Sequence, residues 1–150
     1  MIVETLRFGR IEVPEEAVVT LAEGMLGFPA RRRFCLFPYG PGSALCWMQS
    51  IEDQGLAFLV VEPHQLFPDY EVELSDAHAA ALELERPEDA ALLALLTISH
   101  DARAVTANLA GPIVINLRSR KARQVVLDDE RYSTKHLLAS IGEAVREGRI

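Results

Sequence analysis

Short apolar runs separated by glycine and proline fill the first half of the chain. Ile2 to Phe8, Ile11 to Val13, Phe34 to Phe37, Ala44 to Met48 and Leu56 to Val61 are rich in aliphatic, aromatic and β-branched residues. Between and after them stand Gly9, Pro14, Gly24, Gly27-Phe28-Pro29, Pro38, Gly40-Pro41-Gly42, Gly55, Pro63 and Pro68. Runs this short, bounded by turn formers, predict buried strands of a mainly antiparallel sheet rather than helices.

The pattern changes at Ser75. Ser75 is a good helix N-cap, and the Ala- and Leu-rich stretch to Leu84 that follows it predicts one short helix ending before Pro87. Glu88 to Ser99 is ambiguous by local pattern, because its Ala-Leu content favours helix while Leu95-Leu96-Thr97-Ile98 also suits a fully buried strand. Ala104 to Leu109, Ile113 to Leu117 and Gln124 to Leu127 return to strand chemistry, with Gly111-Pro112 breaking two of them apart. From Lys135 to Arg146, Leu137, Leu138, Ile141 and Val145 fall at helical spacing and predict a C-terminal amphipathic helix. The whole reads as a mainly β, barrel-like antiparallel domain with one short internal helix and a C-terminal helix.

Composition adds bounds to that picture. A chain of 150 residues, 49% hydrophobic and 25% charged, fits one domain over residues 1–150 with a single core. No apolar run reaches the roughly 20 residues a bilayer crossing needs, and Met1-Ile2-Val3-Glu4-Thr5 lacks the features of a secretory signal. A cytoplasmic protein without membrane contact is expected, with Cys35 and Cys46 as buried thiols. The net charge of −7 is unevenly distributed: residues 52–89 carry eleven of the 22 acids against Arg86 alone. Such a zone repels nucleic acid and steers basic partners, or it serves as a solvated face.

Motifs that would carry catalysis or bind a cofactor are missing from the pattern. His64, His78, His100 and His136 lack zinc spacing, so neither metal nor cofactor is expected. The serines sit in no nucleophile elbow, and Ser99-His100-Asp101 are sequence neighbours whose side chains diverge, which argues against a triad. Glycines in Gly24-Met25-Leu26-Gly27 and Gly40-Pro41-Gly42 do not match a phosphate cradle. No catalytic residue is assigned. Arg118, Arg120, Lys121 and Arg123 form a basic cluster that could touch RNA or the ribosome, the alternative to a protein-binding role, although without interleaved aromatics it reads more readily as a solvated hairpin turn.

Three stretches carry a more specific pattern. Leu26-Gly27-Phe28-Pro29 with Arg33-Phe34-Cys35-Leu36 is the weakest. Cys46-Trp47-Met48-Gln49-Ser50-Ile51-Glu52-Asp53, continuing through Phe67-Pro68-Asp69-Tyr70-Glu71-Val72, is more specific. The most specific is Thr106-Ala107-Asn108-Leu109-Ala110-Gly111-Pro112-Ile113-Val114-Ile115-Asn116 followed by Arg120-Lys121-Ala122-Arg123-Gln124-Val125. Together these stretches resemble the flagellar assembly factor FliW family and cover about residues 2 to 138, with Ala122 standing where the family usually has glycine and Tyr132 to Leu138 lacking its usual prolines. The resemblance implies a non-enzymatic adaptor that binds flagellin and, in exchange, the translational regulator CsrA, relieving repression of flagellin synthesis. It also implies a strand over Leu92 to Ile98. Within that reading Phe67, Pro68, Asp69, Tyr70, Glu71 and Glu73 are the candidate partner contacts, Tyr as anchor and the carboxylates for Arg or Lys. Phe67 and Tyr70 alternatively close the barrel end. Trp47, Gln49, Asn108, Pro112 and Asn116 are expected to be structural. Trp47, Phe58, Val60 and Ile113 to Ile115 should be core, and Asn108 and Asn116 should brace the turn at Gly111-Pro112.

Overall fold

A computed structural model describes residues 1–98 and 104–138. In chain order the elements are β1 (Ile2–Thr5), β2 (Gly9–Glu12), β3 (Val18–Leu21), β4 (Arg33–Pro38), β5 (Leu45–Ser50), β6 (Ala57–Val61), α1 (Asp76–Ala81), β7 (Ala90–Ile98), β8 (Val105–Ala107), β9 (Ile113–Asn116), β10 (Lys121–Gln124) and β11 (His136–Leu137). β3 to β7 pair in sequence as an antiparallel meander. β9 then pairs with β7, β10 with β9, and β10 with β3, closing a seven-stranded barrel. The β10–β3 contact (Ala122 opposite Leu21) is parallel, whereas every other barrel pairing is antiparallel.

Alternation along each strand sends one set of side chains inward. Val19, Leu21, Phe34, Met48, Val60, Ile113, Ile115 and Ala122 fill the barrel, so its interior is a packed core and not a channel. The outward set is buried as well, by segments that do not belong to the barrel. The β1–β2 hairpin lays Val3 and Val13 on Cys35 of β4. Residues 66–72 and Leu138 cover Leu45, Leu59, Val61, Ala94 and Leu96. Leu82, at the end of α1, and Leu84 pack against Val114, Val125 and Leu92.

Burial on both faces explains β7. Ala91, Leu93 and Leu95 face the interior, while Leu92, Ala94 and Leu96 are covered from outside. Over Ala90–Leu96 both faces are at least half-covered, so the run has little reason to alternate polar and apolar residues, and tertiary pairing prevails over the helix propensity of Ala and Leu. β8 and β9 run along β7 as one interrupted strand. Leu96 lies opposite Ala107, yet Leu93, three residues earlier, lies opposite Ile113, six residues later. The surplus is looped out at Asn108–Pro112.

Three sequence expectations are corrected. Val18–Leu21 was not among the expected strands, although it closes the barrel on both sides; its alternation is only four residues long and lies between acidic flanks. The strand expected at Gln124–Leu127 is instead Lys121–Gln124, because inward-facing Ala122 pairs with Ile115. The helix expected over residues 135–146 is not formed at its start. His136 and Leu137 pair with Ala107 and Thr106, and the Leu138 amide donates to the Val105 carbonyl at 2.8 Å. Those sheet bonds bury Leu138 at 5% exposure, a burial the helical register would forgo. Residues 139–146 lie outside the described residues, as do Ser99, His100 and Asp101.

Candidate partner-binding surface

β6 ends at Val61, and Glu62 caps the turn that follows: its carboxylate accepts from the Gln65 amide at 3.1 Å. Pro63 fixes the first position of that turn, and its carbonyl accepts from the Phe67 amide at 2.8 Å. The chain then doubles back, with the Tyr70 amide donating to the Phe67 carbonyl at 3.0 Å. His64 holds the turn closed. Its Nδ1 lies 2.7 Å from a Glu62 carboxylate oxygen and its Nε2 lies 2.8 Å from the Tyr70 carbonyl. Both partners are acceptors, so the ring meets both with hydrogen only as imidazolium. The Glu62 hydrogen bond accordingly pushes the imidazole above its ordinary range against a smaller opposing effect of burial, and the Tyr70 carbonyl adds to the rise.

The Phe67–Glu73 candidates divide by exposure. Tyr70 is 3% exposed, packs edge-on against Tyr132 with centroids 4.7 Å apart, and donates its hydroxyl to the Leu109 carbonyl at 2.6 Å. Burial pushes its phenol well above the ordinary value. It is a pin between the turn and the barrel. Phe67 is half-buried beside the same core and meets the His136 ring edge-on at 4.6 Å. Pro68, Asp69, Glu71 and Glu73 are exposed. A depression of about 350 Å³ opens here, lined by Phe67, Asp69, Tyr70, Arg131, Tyr132 and His136 among others. The last three residues went unassigned in the sequence, since nothing local links them to a motif more than fifty positions earlier. Tyr132 Oη accepts from the Glu71 amide at 2.9 Å, and Arg131 stands 3.8 Å from the Glu71 carboxylate and 2.8 Å from Asp129. Asp69 and Glu73 make no ion pair among the described residues.

The structural candidates have specific jobs. Gln49 is fully buried, and its amide nitrogen lies within hydrogen-bond distance of the Ser50, Asp53, Gln54 and Leu56 carbonyls, fixing the β5–β6 turn. Asn108 accepts from the Gly111 amide at 2.8 Å and so holds the loop that ends in buried Pro112. Asn116 braces a different place from the one expected. Its Nδ2 donates to the Leu82 and Glu83 carbonyls, and its Oδ1 accepts from the Arg118 and Ser119 amides. Trp47 is half-buried on the outer face, stacked on Tyr39 and covered by the Arg7 guanidinium 4.9 Å from its ring. Phe58 is half-buried inside the barrel, and Val60 and Ile113 to Ile115 are buried.

The basic cluster does form a hairpin turn, between β9 and β10, with Arg120 in left-handed conformation (φ 64°). Lys121 meets Glu83 at 2.6 Å, Arg123 meets Glu23 at 3.0 Å, and Arg118 stands 3.9 Å from Glu85 and 3.8 Å from Asp89. These cations are already opposed by carboxylates, which weakens them as a phosphate platform. Among the described residues no group of His, Cys, Asp and Glu could hold a metal ion, and no helix is long and apolar enough to cross a membrane.

A barrel filled by its own side chains and partly covered from outside by its own loops, with a carboxylate-bearing turn and depressions on that outer side, defines a small closed β-barrel domain. The chain belongs to the FliW family, whose model matches residues 2–138. It is 37% identical over 147 residues to the flagellar assembly factor FliW of Treponema denticola, covering 97% of this chain and 99% of that protein. To the flagellar assembly factor FliW of Geobacter sulfurreducens it is 40% identical over 136 residues, covering 91% and 85%. A crystal structure of the flagellar assembly factor FliW superposes with a TM-score of 0.82 at 34% identity, covering 91% of this chain and 96% of that one.

Proposed function

We propose that this protein is a cytoplasmic, non-enzymatic flagellar assembly factor that binds flagellin and a CsrA-type translational regulator in exchange for one another. Family membership across residues 2–138 is the observation that carries the reading. In this scheme the free protein sequesters the regulator and flagellin is translated. Flagellin that accumulates occupies the protein and releases the regulator, and export of flagellin resets the cycle. The acidic segment supports the regulator half, because an RNA-binding protein presents cations that a zone of eleven acids against one base attracts. Asp69, Glu71 and Glu73 are the contacts proposed for it, while Tyr70 and Phe67 shape the turn that presents them.

The test is calorimetric titration with each partner separately, repeated across salt. Both should bind saturably, and regulator binding should weaken as salt rises. Charge reversal at Asp69 with Glu73 should lower regulator affinity without lowering the unfolding midpoint. Regulator binding indifferent to salt and to both reversals would remove the electrostatic part of the proposal.

A further inference from the structure

The peptide unit between Tyr70 and Glu71 is held from both sides. Its carbonyl oxygen lies 2.8 Å from His64 Nε2, and its amide donates to Tyr132 Oη at 2.9 Å. His64 is itself anchored through the other edge of its ring, where Nδ1 lies 2.7 Å from Glu62 Oε1. Glu62 is fixed in turn, because its second carboxylate oxygen accepts from the Gln65 amide at 3.1 Å. The imidazole side chain is 43% exposed, so its proton equilibrates with solvent. Among the described residues the other charged groups on its side of the molecule are Glu85 and Arg86, of opposite sign, which line a depression of about 680 Å³ together with Glu62 and His64. Neither forms an ion pair with the ring. The Tyr70 ring, 5.9 Å away, keeps its phenol proton well beyond neutral pH because it is buried.

Protonation decides whether this arrangement holds. The imidazolium has a hydrogen on each nitrogen and satisfies both acceptors, whereas the neutral ring has only one to give. The carboxylate is the stronger acceptor and keeps it, which leaves the Nε2 lone pair against the Tyr70 carbonyl oxygen. Repulsion between them turns the peptide away. Because the same unit carries the Glu71 N–H, its bond to Tyr132 loosens as well. The Tyr70 hydroxyl stays pinned at the Leu109 carbonyl, so the movement is confined to the backbone that carries Glu71. We propose that His64 is a proton-operated latch on the Tyr70–Glu71 peptide, closed by the imidazolium and opened by the neutral ring. The Glu62 hydrogen bond, and after it the Tyr70 carbonyl, hold the imidazole above its ordinary value of about 6.5, so the latch opens on the alkaline side of that value. The turn proposed to present Asp69, Glu71 and Glu73 is thereby fixed in mild acid and loosened as pH rises. That consequence, unlike the latch itself, rests on the partner-binding reading of the turn.

The test is an NMR pH titration of the isotope-labelled full chain, following the His64 ring, the Glu71 amide shift and the exchange of that amide with water. The Glu71 amide should titrate with the same midpoint as the His64 ring. Its exchange, corrected for the intrinsic acceleration by hydroxide, should be about tenfold slower when the ring is protonated. Glu62→Gln should bring both midpoints down together toward the ordinary imidazole range, and His64→Gln should abolish the transition at Glu71. Tyr132→Phe should speed Glu71 exchange in mild acid while the ring still titrates. A Glu71 amide that ignores the His64 midpoint, a transition that persists in His64→Gln, or a ring midpoint that moves in Glu62→Gln without that of Glu71 would overturn the latch. The wild-type titration decides even where a variant unfolds. Every readout is taken on the protein alone, so failure of flagellin and regulator to bind would strike the partner-switching reading and leave the latch standing.

Discussion

Replacing Asn116 by alanine should destabilise the fold by about 3 kcal/mol. The side chain is 3% exposed and joins two segments 34 residues apart in sequence. Its Nδ2 donates to the Leu82 carbonyl at 2.8 Å and to the Glu83 carbonyl at 3.2 Å. Those carbonyls end α1, where Glu83 sits in left-handed conformation (φ 56°) and needs a partner to hold it. On the other side Oδ1 accepts from the Arg118 amide at 2.9 Å and the Ser119 amide at 3.3 Å, closing the β9–β10 turn. The Arg118 and Ser119 amides belong to exposed residues and can turn to water; the carbonyl of Leu82, itself 1% exposed, has little such recourse. A buried group left without a partner costs about 1–3 kcal/mol, and losing the remaining bonds adds a smaller amount. For a chain of this size that corresponds to a fall of about 6–12 °C in Tm. Urea unfolding followed by circular dichroism gives the same quantity from the midpoint, provided the slope is unchanged. Asn116→Asp keeps the acceptor for the turn but sets a carboxylate against two carbonyls, so it should recover little of the loss. An alanine variant within about 1 kcal/mol of wild type, or an aspartate variant as stable as wild type, would refute the bracing role.

Tyr70→Phe removes the hydroxyl bound to the Leu109 carbonyl; it should cost about 1–2 kcal/mol in urea unfolding and leave regulator affinity unchanged, and a lost affinity in a folded variant would make Tyr70 a contact after all. Because the folded imidazole of His64 is raised above its unfolded value, its contribution to stability is complete below about pH 6.5 and is lost as pH rises through the higher folded value. The gap in Tm between wild type and His64→Gln should therefore be widest in mild acid and shrink toward alkaline pH, and a gap that widened with pH would contradict the double hydrogen bond. Gly24→Ala should destabilise far more than Gly27→Ala: both have positive φ, but a methyl at Gly24 would lie 2.3 Å from the Pro29 carbonyl oxygen while at Gly27 it meets open space. Similar unfolding midpoints for the two variants would show that the chain between them yields easily.

What the sequence disclosed follows from how each element buries its side chains. β4, β5 and β6 are bounded by glycine and proline, so their runs are visible without context. The Ser75 cap is equally local, its hydroxyl accepting from the His78 amide at 3.1 Å. β7 was not legible from pattern alone, because burial on both faces erases alternation; resemblance to the family, and not periodicity, indicated the strand. Val18–Leu21 is not legible because its alternation spans only four residues between acidic flanks, and half of its pairing is with Lys121 and Ala122, about a hundred residues away. The Phe67–Glu73 turn is legible as a motif, and its composition as a surface is not. Tyr70 has the chemistry of an interface anchor, yet the Leu109 carbonyl takes its hydroxyl. Arg131, Tyr132 and His136 reach the turn only through the tertiary fold. The charge of the basic cluster is evident, but the carboxylates facing Arg118, Lys121 and Arg123 are not, since Glu83, Glu85 and Glu23 are distant in sequence.

Partner exchange is tested most directly by titrating the purified protein with the CsrA-type regulator, then repeating the titration after saturation with flagellin from the same organism. The account predicts a saturable heat in the first run and its loss in the second. An undiminished regulator heat on flagellin-saturated protein would contradict exchange, since both partners would then be held at once.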